Sequence, residues 1–384
     1  MKYQIINGNN IDVLKTFPDD HFDSIVTDPP YGIDFLGKSW DANTGALETY
    51  QECLRVLKPG GHILAFSAAR TYHHLAITLE QAGFEIRDQI MWIYSSGFPK
   101  SQDVGRSIER SKNKQAERTK SAGYNPSGEN KPVDTGVNGF RCYTCGKDSA
   151  ARYDCKNDPC QLHPPLEDDE AQKWNGWGTA LKPAHEPIAL ARKPIKGSIR
   201  DNVVKHGTGA INIDATRVPI QGTDTRSGGT NGHSRLTFGE GITSNEDSHI
   251  AYQASEQGRF PSNVIGEILQ DDYQKYFYCP KVSRRERHAG FDLTTIPTDP
   301  SGKYDNGGYS ANQETLKASG NNHPTVKPIE LMKYLIKLVT PPNGIVLDPF
   351  NGSGSTGCAA VELGCEYVGI ELDPAYVEIA TKRI

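Results

Sequence analysis

A segment near the C-terminal end constrains the fold more than any other part of the sequence. Residues 345–347 form an apolar run typical of a buried strand, and a glycine-rich turn follows at residues 348–357. We expect a helix at residues 358–363, a strand at residues 367–371 and a final helix from Pro374, which together make a βαβ unit. Because the strands of such a unit are parallel, the segment predicts an α/β fold with a mostly parallel sheet.

The glycines of this turn predict a binding site for an adenosine cofactor. Gly352, Gly354 and Gly357 match the dinucleotide pattern G-x-G-x-x-G, and Glu371 lies near the spacing expected for an acid that binds ribose hydroxyls. Glycines let the backbone approach the ligand, and the N-terminus of the next helix attracts an anion. A nicotinamide dinucleotide and another adenosine cofactor both fit this pattern. Only one helix follows Glu371, so the rest of the sheet is expected from residues 1–96.

The alternation of strand and helix continues elsewhere in the chain. Strands are predicted at residues 3–6, 24–27, 62–68, 84–94 and 187–191, and helices at residues 10–16, 50–57, 72–82 and 328–339. Asn10 is expected to cap the first helix, and residues 58–61 are expected to separate the second helix from the strand that follows. Residues 97–174 and 194–319 lack this periodicity, which predicts an insertion and a loop-rich second domain.

The tetrapeptide Asp28-Pro29-Pro30-Tyr31 is a candidate catalytic site. It follows the apolar run at residues 24–27, and open α/β sheets bind ligands at the carboxyl ends of their strands. The two prolines exclude a helix and make the turn stiff. The Asp28 carboxylate and the Pro29 carbonyl can accept both N–H groups of an exocyclic amine on a nucleobase. Tyr31 can stack on the base, which contributes about 1 to 3 kcal/mol. A loop with a buried proline pair is the alternative.

The composition is typical of a globular protein that does not enter a membrane. The chain has 384 residues, 36% hydrophobic content and a net charge of −5. It begins without a secretory leader, and no apolar run approaches about 18 residues, so we expect a cytoplasmic protein. Basic residues outnumber acidic ones at residues 100–120 and 182–235, and another basic cluster lies at residues 281–287. These clusters are either contacts for a nucleic acid or ordinary solvated faces.

Half of the eight cysteines form a candidate metal site. Cys142, Cys145, Cys155 and Cys160 lie close together in the sequence, and two pairs on tight turns can converge on a tetrahedral zinc ion at about 2.3 Å. The first pair resembles a zinc knuckle, and His163 could replace one thiolate. Unconnected reduced cysteines are the alternative. The remaining cysteines are expected to pack as small apolar residues; they are Cys53, Cys279, Cys358 and Cys365.

Two motifs far apart in the sequence together resemble a known family. The tetrapeptide at residues 28–31, combined with the run at residues 348–354, resembles the amino-group DNA methyltransferases that use S-adenosylmethionine. The catalytic motif comes first and the cofactor motif last, which resembles the β class. Residues 323–328 resemble the motif that this class places before its cofactor loop, and residues 185–188 resemble its last β-hairpin. The resemblance covers three parts of the chain, which are residues 1–96, 176–194 and 320–384.

The resemblance implies a Rossmann-like methyltransferase sheet in circularly permuted order, with an inserted loop-rich target-recognition domain. Residues 1–96 would form the catalytic half of the core, and residues 320–384 the cofactor-binding half. Between them would lie an insertion with the zinc knuckle at residues 97–175, a core hairpin at residues 176–194 and the target-recognition region at residues 195–319. The implied partner is double-stranded DNA, and a homodimer is left open.

The resemblance also implies the roles of individual residues. The catalytic residues would be Asp28, Pro29, Pro30 and Tyr31. The target base would be flipped out of the duplex, because its amine is unreachable inside the helix. Around S-adenosylmethionine, Glu371 would bind the ribose, Asn10 would lie near the adenine, and Thr325 and Lys327 would face the methionine end. The other residues lining the cofactor would be Asp28, Asp348, Pro349, Phe350, Gly352 and Gly354.

The sequence leaves several functions open. Similar enzymes that act on cytosine N4 more often carry serine before the prolines, so the aspartate favours adenine N6, with cytosine N4 as the alternative. Methylation of RNA or of protein amides would use the same tetrapeptide. A non-catalytic nucleic-acid-binding protein with a zinc knuckle and a nicotinamide oxidoreductase are the alternatives from other classes.

Overall fold

The structure of the protein is a computed structural model. It describes residues 3–33, 44–94, 101–112, 166–181, 183–218, 258–266, 282–293, 320–323 and 325–384. The chain divides into two compact units, of which the larger contains residues 1–96 and 184–384 and the smaller contains residues 97–183. The finer division into an insertion, a hairpin, a recognition region and two core halves stays a prediction.

The larger unit is built on one sheet. Its strands within the described residues are β1 (Tyr3–Asn7), β2 (Phe22–Thr27), β3 (Leu57–Phe66), β4 (Glu85–Ile93), β5 (His185–Arg192), β6 (Val264–Gly266), β7 (Ile345–Asp348) and β8 (Glu366–Glu371). Their order in the sheet is β1-β8-β7-β2-β3-β5-β4-β6. All neighbours are parallel except that β5 runs antiparallel to β3 and β4. The predicted α/β class with a mostly parallel sheet is confirmed, whereas the circular permutation and the inserted domain stay predictions.

Helices cover the sheet and connect its strands. The described α-helices of the larger unit are α1 (Asn10–Leu14), α2 (Leu47–Val56), α3 (Tyr72–Ala82), α6 (Ile199–His206), α7 (Arg284–Arg287), α8 (Ile329–Val339), α9 (Ser355–Glu362) and α10 (Pro374–Arg383). Those of the smaller unit are α4 (Val104–Lys112) and α5 (Asp169–Lys173). None of the helices in the described ranges is both long enough and apolar enough to span a membrane.

The sheet separates two hydrophobic cores because successive strand residues point to opposite faces. Ile25 and Ile63 contribute to the core that includes α1, α2 and α3. Their neighbours Val26 and Leu64 contribute to the core that includes α8 and α9. All six residues of β2 are buried, as expected for a parallel strand with helices on both faces. The C-terminal end of β2 is therefore rigidly placed.

Two local predictions from the sequence are wrong. The side chain of Asn9, not Asn10, caps α1 by accepting a hydrogen bond from the backbone of Ile11. Residues 58–61 do not separate the second helix from its strand, because β3 begins at Leu57, directly after α2. Gly60 has a positive φ of 80°, and its backbone N–H donates to a carbonyl of the chain after β5. This local bend lets a proline-containing segment belong to the strand.

Candidate active site

The two predicted motifs lie at the ends of neighbouring strands. β2 pairs in parallel with β7, so Asp28, which follows β2, and Asp348, which ends β7, emerge at the same edge of the sheet. The hydroxyl of Thr27 donates to Asp348 Oδ1 at 2.7 Å, and the hydroxyl of Thr356 donates to Asp348 Oδ2 at 2.6 Å. Burial raises the pKa of Asp348 to about 6, although these hydrogen bonds oppose the rise. The Asp348 carboxylate therefore links the strand before the tetrapeptide to the helix after the glycine-rich turn through these two hydrogen bonds.

Four side chains from distant parts of the sequence meet at this edge. Lys327 Nζ donates to Asp28 Oδ2 at 2.6 Å and to the Tyr31 hydroxyl at 3.0 Å. It also lies 3.4 Å from Glu186 Oε2. The Tyr31 hydroxyl lies 2.8 Å from Asp28 Oδ1 and 2.9 Å from Glu186 Oε2. Glu186 reaches the group because β5 is antiparallel, so the first residues of β5 lie where the neighbouring strands end.

Burial and charge act together on the ionisation of this cluster. Burial raises the pKa of Asp28, and the positive charge of Lys327 opposes that rise without cancelling it. Burial lowers the pKa of Lys327, but the negative charges of Asp28 and Glu186 outweigh burial, so this pKa is raised. Burial and the two carboxylates raise the pKa of Tyr31 well above its ordinary value. Lys327 and Tyr31 therefore keep their protons at neutral pH.

The glycine-rich turn holds a carboxylate at the end of β8. Gly352 adopts a positive φ of 51°, and its backbone N–H donates to Glu371 Oε2 at 2.7 Å. A Cβ atom at Gly352 would lie 2.8 Å from Nε2 of His323, so no larger residue fits there without a shift. Burial, followed by the charges of Lys327 and two arginines, lowers the pKa of His323 to about 3. The histidine is therefore neutral at physiological pH.

The other glycines of the pattern serve the packing of helices. Gly354 adopts a positive φ of 81°, and a Cβ atom there would lie 3.0 Å from the Ala380 side chain of α10. Gly357 lies inside α9, and a Cβ atom there would lie 2.3 Å from Ile384 and 2.6 Å from Tyr367. These two glycines are thus needed for close contact with α10 and β8, as the last glycine of a dinucleotide pattern is needed for helix packing.

The remaining predicted site residues surround the turn. The amide of Asn10 donates to the carbonyl of Pro349 at 3.2 Å. The ring of Phe350 is half-buried and lies 6.4 Å from that of Tyr50, measured between centroids. The backbone N–H of Thr325 donates to Nδ1 of His323. In the tetrapeptide, Pro29 is buried and Pro30 is half-buried. The structure therefore gathers the predicted residues along one edge of the sheet.

Comparison with known proteins identifies the family. Residues 22–382 match a family described as DNA methylase, whose members are N6 and N4 methyltransferases. The chain belongs to this DNA methylase family. The resemblance of its motifs to amino-group DNA methyltransferases is thereby confirmed.

The methylase is similar to several characterised or solved proteins. It is 22% identical to the type II methyltransferase M.HindIII of Haemophilus influenzae, over 99% of this chain and 94% of that protein. It is 43% identical to the DNA adenine methyltransferase YhdJ of Escherichia coli over 63 residues, which are 16% of this chain and 21% of YhdJ. The solved structure of the cytosine-N4-specific PvuII DNA methyltransferase covers 100% of the methylase and 86% of its own chain, with 12% identity and a TM-score of 0.43.

Glu186 is a residue of the candidate site that sequence reasoning did not assign. It lies in the segment that resembles the last hairpin of the family, at the start of β5 and directly before the apolar residues 187–191. A charged residue in that position was a usable signal, because a carboxylate at the end of a buried strand needs a partner. The partner, Lys327, is distant in the sequence and becomes visible only in the fold.

The cysteines of the methylase divide into two groups. Cys53, Cys358 and Cys365 are buried with free thiols, which confirms their predicted role as packing residues, whereas Cys279 lies outside the described residues. The candidate zinc ligands also lie outside the described residues; they are Cys142, Cys145, Cys155 and Cys160. Within the described part of the chain, no group of three or more potential metal ligands is found.

Proposed function

We propose that the methylase transfers a methyl group from S-adenosylmethionine to the exocyclic N6 of a flipped-out adenine in double-stranded DNA. One observation supports this function most strongly. Asp28 and Asp348 emerge from neighbouring parallel strands, and the Thr27 hydroxyl donates to Asp348. Groups bound at these two strand ends would lie side by side, which is the arrangement that transfer between a donor and an acceptor requires.

The residues around the glycine-rich turn fit an adenosine cofactor that carries an amino-acid tail. Glu371 places a carboxylate at the end of β8, where it can accept hydrogen bonds from ribose hydroxyls. The Phe350 ring offers an apolar face to the cofactor. The N-terminus of α9 and the ammonium of Lys327 offer positive potential to a carboxylate. When bound, S-adenosylmethionine supplies an electrophilic methyl group on a sulfonium. The proposed cofactor residues are Asn10, Asp28, Thr325, Lys327, Asp348, Pro349, Phe350, Gly352, Gly354 and Glu371.

The tetrapeptide has the groups needed to use an amine as a nucleophile. The lone pair of an exocyclic amine is delocalised into the ring, so the N–H bonds must be held out of the ring plane. We propose that the Asp28 carboxylate and the Pro29 carbonyl accept these N–H groups, and that Tyr31 stacks on the flipped base. The nitrogen gains a methyl group and loses one proton, which Asp28 accepts before it passes to solvent.

The choice of base is also part of the proposal. Aspartate before the two prolines favours adenine N6, and cytosine N4 is the second candidate. Flipping the base costs a few kcal/mol, which stacking on Tyr31 partly offsets. Residues 195–319 are the proposed target-recognition region, since basic and amide side chains there can contact phosphates and base edges.

A labelling experiment tests both the activity and the base. Purified protein is incubated with duplex DNA and S-adenosylmethionine carrying a labelled methyl group, and the DNA is digested to nucleosides and separated. We expect the label in N6-methyladenine. Label in N4-methylcytosine would favour the second candidate, and unlabelled DNA would contradict the proposal. Titration with S-adenosylmethionine and with NAD tests the alternatives from other classes. Absence of S-adenosylmethionine binding would favour the non-catalytic nucleic-acid-binding protein, and binding of NAD would favour the nicotinamide oxidoreductase.

A substitution tests the role of Asp28. We expect Asp28→Ala to lower the methylation rate by about 100-fold or more, because the amine loses its acceptor, while calorimetric titration still detects the cofactor. Asp12→Ala, at an exposed carboxylate on α1, is the matched control and should keep the wild-type rate. A wild-type rate in Asp28→Ala would exclude this residue from the chemistry.

A structural zinc ion at Cys142, Cys145, Cys155 and Cys160 is a separate proposal that is based on the sequence. Elemental analysis of the purified protein is expected to find about one zinc per chain. Substitution of Cys142 and Cys145 by serine should remove the metal, and a metal-free wild-type protein would contradict the site.

A further inference from the structure

Lys327 reaches the candidate site from a segment that has no regular structure of its own. Residues 321–323 and 325–328 are neither helix nor strand. The Lys327 side chain is nevertheless 5% exposed, and its ammonium lies 2.6 Å from Asp28 Oδ2. A long side chain keeps such a position only if the backbone that carries it is held in place. The contacts that hold this backbone therefore bear on the site.

The start of α8, directly after this segment, has no capping side chain of its own. Its N-cap residue is Pro328, whose side chain offers no acceptor, and the first N–H groups of a helix have no partner inside the helix. Oε1 of Glu286, in α7, accepts a hydrogen bond from the backbone N–H of Ile329. A carboxylate is also favourable at this end of a helix. Glu286 thus caps α8 from a distant part of the chain and fixes the backbone two residues after Lys327.

The next two residues of the chain hold the backbone on the other side of Lys327. The guanidinium of Arg287 donates to the carbonyl of His323 at 2.9 Å. The carbonyl of Arg287 accepts from the side-chain amide of Asn321 at 3.0 Å, and Nδ1 of His288 accepts from the backbone N–H of Asn321 at 3.1 Å. Three consecutive residues in and after α7 therefore bind the backbone both before and after Lys327.

The short helix α7 is itself fixed to the core. Ser283 and Glu286 form a reciprocal capping box, which orients the Glu286 carboxylate. Gly290, just after the helix, adopts a positive φ of 80° and lies so close to the carbonyl of Lys382 in α10 that a Cβ atom would collide with it. The segment can therefore act as a support for the backbone around Lys327.

We propose that Glu286 and Arg287 are positioning residues that hold Lys327 against Asp28. They act through the backbone of the segment that carries Lys327, and not on the reacting groups. A displacement of about 1 Å at a site can cost about 100-fold in rate, so loss of either contact should affect both the ion pair and the reaction. The consequence for methylation rests on the proposed function, whereas the placement of Lys327 does not.

Amine labelling of the full-length protein tests this placement without DNA or cofactor. A short pulse of N-acetoxysuccinimide at pH 8, followed by digestion and mass spectrometry, measures the acetylation rate of each lysine. In Glu286→Ala the rate at Lys327 should rise by about fivefold or more, because the amine becomes accessible and loses the carboxylates that raise its pKa. Glu286→Gln keeps an acceptor for the N–H of Ile329 and should restore most of the protection.

A second variant and two controls complete the labelling experiment. Arg287→Met should also raise the rate at Lys327, whereas Arg285→Met, at an exposed residue of the same helix, is the matched control and should not. Lys193, whose Nζ donates to two backbone carbonyls of the core, reports on the rest of the fold and should stay protected. An unchanged rate at Lys327 in either variant would overturn the role of the substituted residue. An equal rise at Lys193 would overturn the specific effect on Lys327, whether or not the protein methylates DNA.

Methylation kinetics test the consequence for the reaction. If Glu286 acts through Lys327, Glu286→Ala should lower kcat/KM by about tenfold or more in the wild-type background. It should cost less than about twofold in a protein that already carries Lys327→Met, because the two substitutions then remove the same interaction. A support needed only for stability would cost the same factor in both backgrounds, and that outcome would overturn the role in methylation.

Discussion

Lys327 is the residue on which the ionisation of the candidate site depends. Its ammonium is buried and forms ion pairs with Asp28 and Glu186. It also lies 4.9 Å from the centroid of the Phe66 ring and 5.4 Å from that of the Tyr31 ring, so aromatic faces add to its stabilisation. The charge of Lys327 lowers the pKa of Asp28 against the effect of burial. Without that charge, the carboxyl group would hold a proton to higher pH.

The pH–rate profile tests this dependence at the residue scale. In Lys327→Met the apparent pKa of the acid limb of kcat/KM for methylation should rise by about one unit or more, because Asp28 must be ionised to accept the amine and has lost the charge that favours ionisation. Activity should therefore be lost at a higher pH as the solution is made more acidic.

The control for this substitution lies on the next helix. Lys337→Met changes an exposed lysine of α8 and should leave the acid limb in place. An unshifted acid limb in Lys327→Met would show that the ion pair does not control the ionisation of Asp28.

At the scale of elements, α10 holds the glycine-rich turn in its conformation. The guanidinium of Arg383 is buried and donates to the carbonyl of Ser353 at 2.6 Å and to the hydroxyl of the same residue at 2.9 Å. The Gly354 backbone lies against α10, with Ala380 and Ile384 nearest to it. The last helix thus acts as a support for the turn, in addition to covering the sheet.

We expect Arg383→Met to weaken the binding of S-adenosylmethionine by about tenfold, because the turn loses the charged donor that orients Ser353. Calorimetric titration of the cofactor measures the effect. Lys382→Met is the matched control, since Lys382 is exposed and pairs with Glu378 on the same helix, and its affinity should equal that of the wild-type protein. Unchanged affinity in Arg383→Met would mean that the turn keeps its conformation without α10.

At the scale of the whole molecule, the larger unit holds all the proposed site residues, and none of them comes from residues 97–183. The proposed catalytic and cofactor residues all belong to the larger unit, residues 1–96 and 184–384. The two points where the chain leaves and re-enters this unit are adjacent, because the backbone N–H of Tyr94 donates to the carbonyl of Ala184 at 2.9 Å. A short connection can therefore join them with a small entropic cost.

We expect a chain in which a short Gly-Ser linker replaces residues 97–183 to bind S-adenosylmethionine within about threefold of the full-length affinity. Its affinity for DNA should fall, since the basic cluster at residues 100–120 is removed. Cofactor titration and a DNA-binding measurement at fixed salt, run with both proteins, separate the two effects. Loss of cofactor binding in the shortened chain would show that residues 97–183 are needed for the core.

Features set by neighbouring residues could be predicted from the sequence. The strand before Asp28, the helix at Tyr72–Ala82 and the βαβ unit around the glycine-rich turn each follow from a local pattern of apolar and turn residues. Local patterns failed at residues 58–61, which form an irregular part of β3. The pairing of β3 with β2 passes from Leu57 directly to His62, and the strand is continued there by hydrogen bonds between Gly60, Gly61 and Lys193. The N-cap of α1 was also misplaced by one residue, since two adjacent asparagines offer the same side chain.

The sequence by itself determined the strand ends, the acid, the aromatic ring and the glycines, because each depends on residues close together in the chain. Only the tertiary structure decided that Glu186 joins Asp28, Tyr31 and Lys327. That contact requires β5 to run antiparallel between β3 and β4, so that its first residues reach the edge where the parallel strands end. The direction of a strand depends on hydrogen bonds to distant partners, and no local pattern in the sequence contains that information.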